Sequence, residues 1–412
     1  MTDNAMRFGP IRALAERLLM ESGVASMALA VAQGGEIIWE DAIGWADRER
    51  RTPATPHTMY SLASISKPIT ATALMTLVER GQVDLDAPID DYLGDARLTA
   101  HAGSARDATV RRVASHSAGL PTHCHFFYAD EPPVRPPMGE TILRYAHLVV
   151  PPGEEYIYSN LGYGLIEHVI ERVSGLSLAD YLRREVFLPL GMLHASLDVG
   201  PGLAPYAAQR YTPGGLPLPA YTFDHPGASA VYASVHDLAR FGLFHVPAGL
   251  ADQRAILSGA SIEAMRQIAI ATGPQRGYGL GWAVNEDDCG YRAASHGGSM
   301  GGVRTHLRLL PEEGIVVAAL TNGEAMVHER VAEEILCLLL PEYARRRDER
   351  RAQAGQPPEA AAWAAPEELA GGWEGHVHTY AGDLPLSLDV RRDGAIHARL
   401  GDDLETLLVE PR

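Results

Sequence analysis

Tyr60-Ser-Leu-Ala-Ser64-Ile-Ser-Lys67-Pro68 holds the only lysine of the 412-residue chain; every other member of its 35 basic side chains is arginine. Arginine serves wherever fixed positive charge is enough, but with a pKa above about 12 it cannot give up its proton. A lysine kept in such a background marks a place where an amine must lose one. Ser64 and Lys67 are three residues apart, so on a helix they share a face and the amine can reach the hydroxyl. Pro68 suits the first turn of a helix, where its missing N–H costs nothing. Beyond it, Ile69, Ala73 and Leu77, with Leu74 and Val78, recur at helical spacing as far as Gly81, which reads as the stop. Ser64 then stands at the positive end of the helix dipole, where a hydroxyl ionises more easily and its own N–H can face an oxyanion. An unaided serine is too weak a nucleophile, so Lys67 is expected to be its base, with burial lowering the pKa of the amine.

Working outward, two hairpins bracket the chain. Residues 25–45 alternate in strand fashion around Gln33-Gly34-Gly35, and residues 302–310 and 315–320 flank the turn Pro311-Glu-Glu-Gly314. The text between is mostly helical, with helices expected at 161–174 and 178–187, and one long helix at 327–347 follows the last strand pair. Strands at both ends with helices between imply an α+β fold: one antiparallel sheet flanked by helices, with an inserted helical lobe. This main domain is expected over 1–345. Residues 346–366, charged and then Ala/Pro-rich, read as a linker, its arginine run as a solvated helix end. Residues 367–412 read as a small β-rich module of at most four strands, too few to close a barrel.

Net charge −17 argues against nucleic acid and anionic membrane as partners. Cys124, Cys289 and Cys337 are odd in number and in no metal or redox spacing, which fits a reducing compartment. The first helix is interrupted by Arg12, Glu16 and Arg17 and is no signal peptide, and no apolar run is long enough for a bilayer. A cytoplasmic location is expected.

Two further blocks carry polar chemistry: Tyr156-Ile-Tyr158-Ser159-Asn160 and Ser295-His296-Gly297-Gly298-Ser299-Met-Gly-Gly302. Together with Ser64-x-x-Lys67, in this order and spacing, they resemble the serine β-lactamase and penicillin-binding-protein superfamily. The likeness is strongest to its class C β-lactamase-like branch, which also holds esterases, D-amino-acid amidases and peptidases. It covers about residues 10–345 and is supported by 113–121, Pro189-Leu-Gly-Met192, Tyr278-Gly-Leu-Gly-Trp282 and Leu320-Thr-Asn322. The resemblance implies Ser64 as nucleophile, Lys67 as its activator, Tyr158 as proton shuttle and Asn160 as the residue holding Lys67 and the substrate. His296-Gly297-Gly298 takes the place of a Lys-Thr-Gly motif, as substrate-binding residues, and the N–H groups of Ser64 and Ser299 form the oxyanion hole. No metal and no organic cofactor are implied. The partner is a small-molecule or peptide substrate, and the oligomeric state is not read from the chain.

His296 replaces the lysine with which antibiotic-destroying members hold a substrate carboxylate, and a histidine is mostly neutral at pH 7. The two glycines are expected to open the strand to bulkier acyl groups. These departures favour ester or amide/peptide hydrolysis through a Ser64 acyl-enzyme over β-lactamase activity. An acyltransferase or peptide cyclase on the same fold, and a non-catalytic ligand-binding relative, are the other readings. Gly297-Gly298-Ser299-Met300-Gly301 also satisfies Gly-x-Ser-x-Gly, but a strand follows where a nucleophile elbow needs a helix. His116 and His123-Cys124-His125 look metal-like, yet no carboxylate stands at a telling spacing. They read as part of a lid over the substrate, with Phe126, Phe127 and Tyr128 lining an acyl pocket.

Overall fold

The computed structural model describes residues 3–129, 135–200, 202–247, 249–353, 364–380, 382–403 and 406–408. They form two compact units, Met1–Arg346 and Arg347–Arg412. In the first, nine strands make one antiparallel sheet. Its order runs Ile270–Gly273, Arg276–Tyr278, Ala283–Asp288, Tyr291–Met300, Val303–Leu310, Ile315–Thr321, Ser26–Gln33, Glu36–Asp47 and Thr52–Pro53. The N-terminal strand Ser26–Gln33 pairs with Ile315–Thr321, Met27 opposite Thr321 and Gln33 opposite Ile315, so the two ends of this unit close the sheet between them.

Both faces of the central strands are buried, and the alternation sorts side chains by size. Met27, Leu29, Val31, Ile315 and Val317 pack under the helices Gly9–Ser22 and Val327–Leu339. Ala28, Ala30, Ala32, Val316 and Ala318 face the other way, towards the helical lobe. The small residues let helix Val235–Phe244 come close: a Cβ on Gly242 would sit 2.4 Å from Val316 Cγ1. The helix that follows Ser64, Ser66–Glu79, is buried from Ser66 to Leu77 rather than along one stripe. It ends as its sequence predicts, with Gly81 in the left-handed region and the Gln82 N–H donating to Leu77 O. Gly281, at φ +84, lets its loop lie against this helix, since a Cβ there would be 2.8 Å from Pro68 Cα.

The long helix expected at 327–347 is two helices, Val327–Leu339 and Pro341–Gln353. Leu340 has φ −129 and ψ 94, because the ring of Pro341 disfavours helical backbone in the residue before it. The second helix, in whose first turns Glu342 pairs with Arg345 and Arg346, runs on into the expected linker. Most of the remaining linker, at 354–363, lies outside the described residues. In the second unit Gly371–Thr379, Gly382–Val390, Ile396–Leu400 and Thr406–Leu408 pair in that order as an antiparallel sheet. Trp373 opposite Leu388, Val377 opposite Leu384 and Leu386 opposite Leu400 place apolar side chains on one face. Among the described residues, no helix is long and apolar enough to cross a membrane.

Candidate active site

Ser64 lies in a 3-10 turn, Ala63–Ile65, that leads directly into helix Ser66–Glu79. Ala63 has φ +48, a left-handed conformation that a residue with a side chain adopts only under constraint. The constraint is a set of buried hydrogen bonds. Leu62 N–H donates to Val231 O at 2.8 Å. The Thr305 hydroxyl donates to Leu62 O at 2.8 Å. The Ser66 hydroxyl donates to Ala63 O at 2.7 Å and accepts the Val231 N–H at 3.0 Å. Ser66, between the two reactive residues in sequence, thus holds the turn from beneath.

Lys67 is fully buried. Its Nζ lies 2.8 Å from Asn160 Oδ1, 3.2 Å from Ala228 O and 3.2 Å from Ser64 Oγ. Burial drives its pKa well below the ordinary lysine value, with a small opposing pull from Cys124. Desolvating an ammonium costs several kcal/mol, and no carboxylate pairs with this one among the described residues, so burial favours the neutral amine. A neutral amine has two N–H bonds and one lone pair. The amide and carbonyl oxygens can only accept, so they take both N–H bonds and the lone pair is left for the Ser64 hydroxyl proton.

Tyr158 and Asn160 flank Ser159, the N-cap of helix Asn160–Ser174, whose hydroxyl accepts the Gly162 N–H at 3.0 Å. Asn160 is held by the 121–123 loop: its backbone N–H donates to Thr122 O and its Nδ2 to His123 O. The Lys67 amine sits 4.6 Å from the Tyr158 ring centroid. Burial raises the Tyr158 pKa above the ordinary phenol range, against a smaller lowering by the Ser64 hydroxyl, so the ring rests as a phenol.

His116, read from the sequence as a metal candidate or part of a lid, grips this segment instead. It is buried with φ +61. Its carbonyl accepts the Ile157 N–H at 2.8 Å and its Nδ1 the Ser159 N–H at 3.1 Å, one bond on each side of Tyr158. Its ring packs 4.4 Å from that of Tyr158 and 4.6 Å from that of Tyr278. Accepting at Nδ1 places the proton on Nε2.

His296 and Gly298 face the lobe, while Gly297 and Ser299 alternate onto the opposite face. The His296 Nε2 accepts the Tyr278 hydroxyl at 2.9 Å and its Nδ1–H donates to Gly297 O at 2.7 Å. Burial is the main cause that lowers its pKa to about 3. The ring is therefore neutral, and both nitrogens are already engaged within the protein. The glycines do not widen the cleft as the sequence suggested. A Cβ on Gly298 would lie 2.2 Å from Leu62 O and 2.1 Å from Thr305 Oγ1, so the space is filled by the turn that carries Ser64 and the threonine that pins it. Pairing with Ala283–Asp288 stops at Ser295, which leaves this edge of the strand open to that turn, and Ser299 follows Gly298 along it.

The carboxylate absent from the local sequence around His123 comes from 101 residues away. Asp224, buried, accepts from His123 Nε2 and from His225 Nδ1, both at 2.6 Å. These are the ligand-type groups close enough to share an ion among the described residues; here they hold the loop that positions Asn160. Phe126–Tyr128, expected to line an acyl pocket, is a short strand paired with Tyr221–Phe223, forming an aromatic wall. Cys124 is exposed on the same loop.

A strained serine turn, a buried neutral lysine and a tyrosine-asparagine pair on the facing lobe define a serine hydrolase of the β-lactamase/transpeptidase type. The chain belongs to the Beta-lactamase family, whose model matches residues 11–339. It is 31% identical to penicillin-binding protein 4 of Amycolatopsis lactamdurans, over 75% of this chain and 83% of that one. It is 32% identical to esterase EstB of Burkholderia gladioli over 46% of this chain and 51% of the other. In fold it is similar to the octameric penicillin-binding protein homologue from Pyrococcus abyssi, with a TM-score of 0.69, 24% identity, and 97% of this chain and 89% of that one covered.

Proposed function

We propose that the chain hydrolyses an ester or amide bond through an acyl-enzyme on Ser64. The observation that carries this is the setting of Lys67, whose buried Nζ lies within hydrogen-bond distance of Asn160 Oδ1, Ala228 O and Ser64 Oγ, so that as a neutral amine it can give its two N–H bonds to the first two and its lone pair to the third. Lys67 takes the hydroxyl proton as Oγ attacks the carbonyl carbon. The negative charge on the carbonyl oxygen falls between the N–H groups of Ser64 and Ser299. The Tyr158 phenol passes its proton to the departing oxygen or nitrogen and is reprotonated from Lys67. Water then repeats the sequence on the ester of Ser64, with Lys67 again as base.

His296 weighs against β-lactamase activity, because a neutral ring with both nitrogens engaged offers no fixed charge to a β-lactam carboxylate. The esterase among the relatives agrees with this preference. Fluorophosphonate treatment followed by peptide mass mapping tests the proposal: label on Ser64, lost in Lys67→Arg, is expected. Label on Ser299, or none, overturns it. Faster turnover of a chromogenic cephalosporin than of simple aryl esters would instead restore the β-lactamase reading.

A further inference from the structure

Against the turn at Gly301-Gly302 lies a cavity of about 210 Å3, walled by Arg210, Tyr221 and Tyr232 and flanked by Asp198 and the Asp47–Arg50 pair. Of the two buried arginines among the described residues, Arg266 pairs with Glu263 at 2.8 Å. Arg210, only 7% exposed, has no acid within ion-pairing distance among the described residues. Its guanidinium carbon sits 3.5 Å over the centroid of the Tyr221 ring, which covers one face of the group. A buried cation without a counter-charge is costly, and an arginine cannot escape that cost by losing its proton.

We propose that this cavity is a binding pocket for a small carboxylate, with Arg210 as its anchor. The guanidinium fork matches a carboxylate with two parallel hydrogen bonds. The volume is that of roughly seven waters, enough for a ligand end of a few carbons. Asp47 is engaged by Arg50, and the exposed Asp198 disfavours more highly charged anions such as phosphate.

The pocket is joined to the catalytic strand. Tyr221 donates its hydroxyl to Gly301 O at 2.8 Å, two residues beyond Ser299. The same ring meets Phe126 of the aromatic wall edge-on at 5.1 Å. A Cβ on Gly302 would lie 2.7 Å from Arg210 Cβ, so the wall of the cavity and the turn of that strand are in contact. Two sources share this chemistry: a carboxylate at the far end of the substrate, or a free small carboxylate. The first rests on the hydrolase proposed above; the second does not.

The test uses the full chain, Arg210→Met and Arg210→Lys. Hydrolysis of methyl hydrogen adipate and of methyl hexanoate is followed by proton release. Thermal unfolding is followed with sodium adipate against sodium chloride at equal ionic strength. A substrate carboxylate in the pocket lowers the ratio of the two kcat/KM values by about tenfold or more in Arg210→Met, and less in Arg210→Lys, which keeps the charge and loses the fork. A free carboxylate leaves the ratio in place, while adipate raises the melting temperature of the parent and not that of Arg210→Met. Both results support the pocket and tell its sources apart. If neither the ratio nor the adipate shift depends on Arg210, the proposal is overturned. If neither ester is turned over, the unfolding arm decides alone, and if Arg210→Met does not fold, Arg210→Lys decides both arms.

Discussion

The carbonyl oxygen of Leu62 occupies the place where residue 298 would carry a side chain, 2.2 Å from a Cβ built on Gly298. The strand that supplies Ser299 and the turn that supplies Ser64 are therefore in backbone contact. Gly298→Ala must push them apart or break the Thr305 bond to Leu62. A cost of about 1–3 kcal/mol is expected, with Ser64 labelling slowed. At Gly297 the nearest atom to a Cβ is 3.7 Å away, so Gly297→Ala is expected to be nearly neutral. Melting curves and fluorophosphonate rates of the two variants, measured side by side, check the contrast.

Lys67 makes stability depend on pH in a stated direction. Its folded pKa lies below that of the unfolded chain through burial. Between the two values the unfolded state binds one more proton, so stability rises with pH, by up to about 1.4 kcal/mol per unit. Lys67→Met removes this dependence, and denaturant midpoints of parent and variant between pH 7 and 9 are expected to have different slopes. Acylation by the parent falls on the acid side as the amine takes up its proton.

Asp224 holds two histidines from one buried carboxylate. Burial raises its pKa, but the bonds from His123 and His225 outweigh that and hold it below the ordinary carboxylate range. Its contribution is therefore complete at neutral pH and is lost as pH falls through the folded pKa. Asp224→Asn is expected to cost about 3 kcal/mol or more at pH 7. Because the His123 carbonyl holds Asn160, the variant should also label more slowly at Ser64 in conditions where it is fully folded.

Cys124 is the exposed one of the three cysteines, on the loop that carries His123. Burial of its sulfur raises the thiol pKa, so alkylation is slow at neutral pH and quickens above it. Iodoacetamide is expected to modify Cys124 before Cys289 and Cys337, and to block Ser64 labelling in the parent while leaving Cys124→Ser sensitive to the fluorophosphonate. Mass mapping after timed exposure gives both rates.

What was legible in the chain was what is local. The Ser64–Lys67 spacing, the two Gly-containing hairpin turns and the helix stop at Gly81 each announce themselves within a few residues. Pro341 also announced the helix break at Leu340, a signal the apolar run of 327–340 overrode. The strands Ile270–Gly273, Arg276–Tyr278 and Ala283–Asp288 are short, carry Gly or acidic residues and show little alternation, so pairing with neighbours decides them. The Asp224 bond to His123 spans 101 residues and that of Thr305 to Leu62 spans 243. No periodicity reports such contacts. His116 was visible as a histidine but not as a clamp, because its partners Ile157 and Ser159 lie about forty residues on.

The sheet closed by Ser26–Gln33 against Ile315–Thr321 sets a timetable for the molecule's birth. Ser64 and Lys67 leave the ribosome early, but the strand bearing Ser299 and the Thr305 that pins their turn follow more than two hundred residues later. Contacts so distant in sequence form slowly, since the intervening chain must be ordered first. A nascent chain arrested before residue 291 would hold Ser64 and Lys67 without the strand that completes their setting.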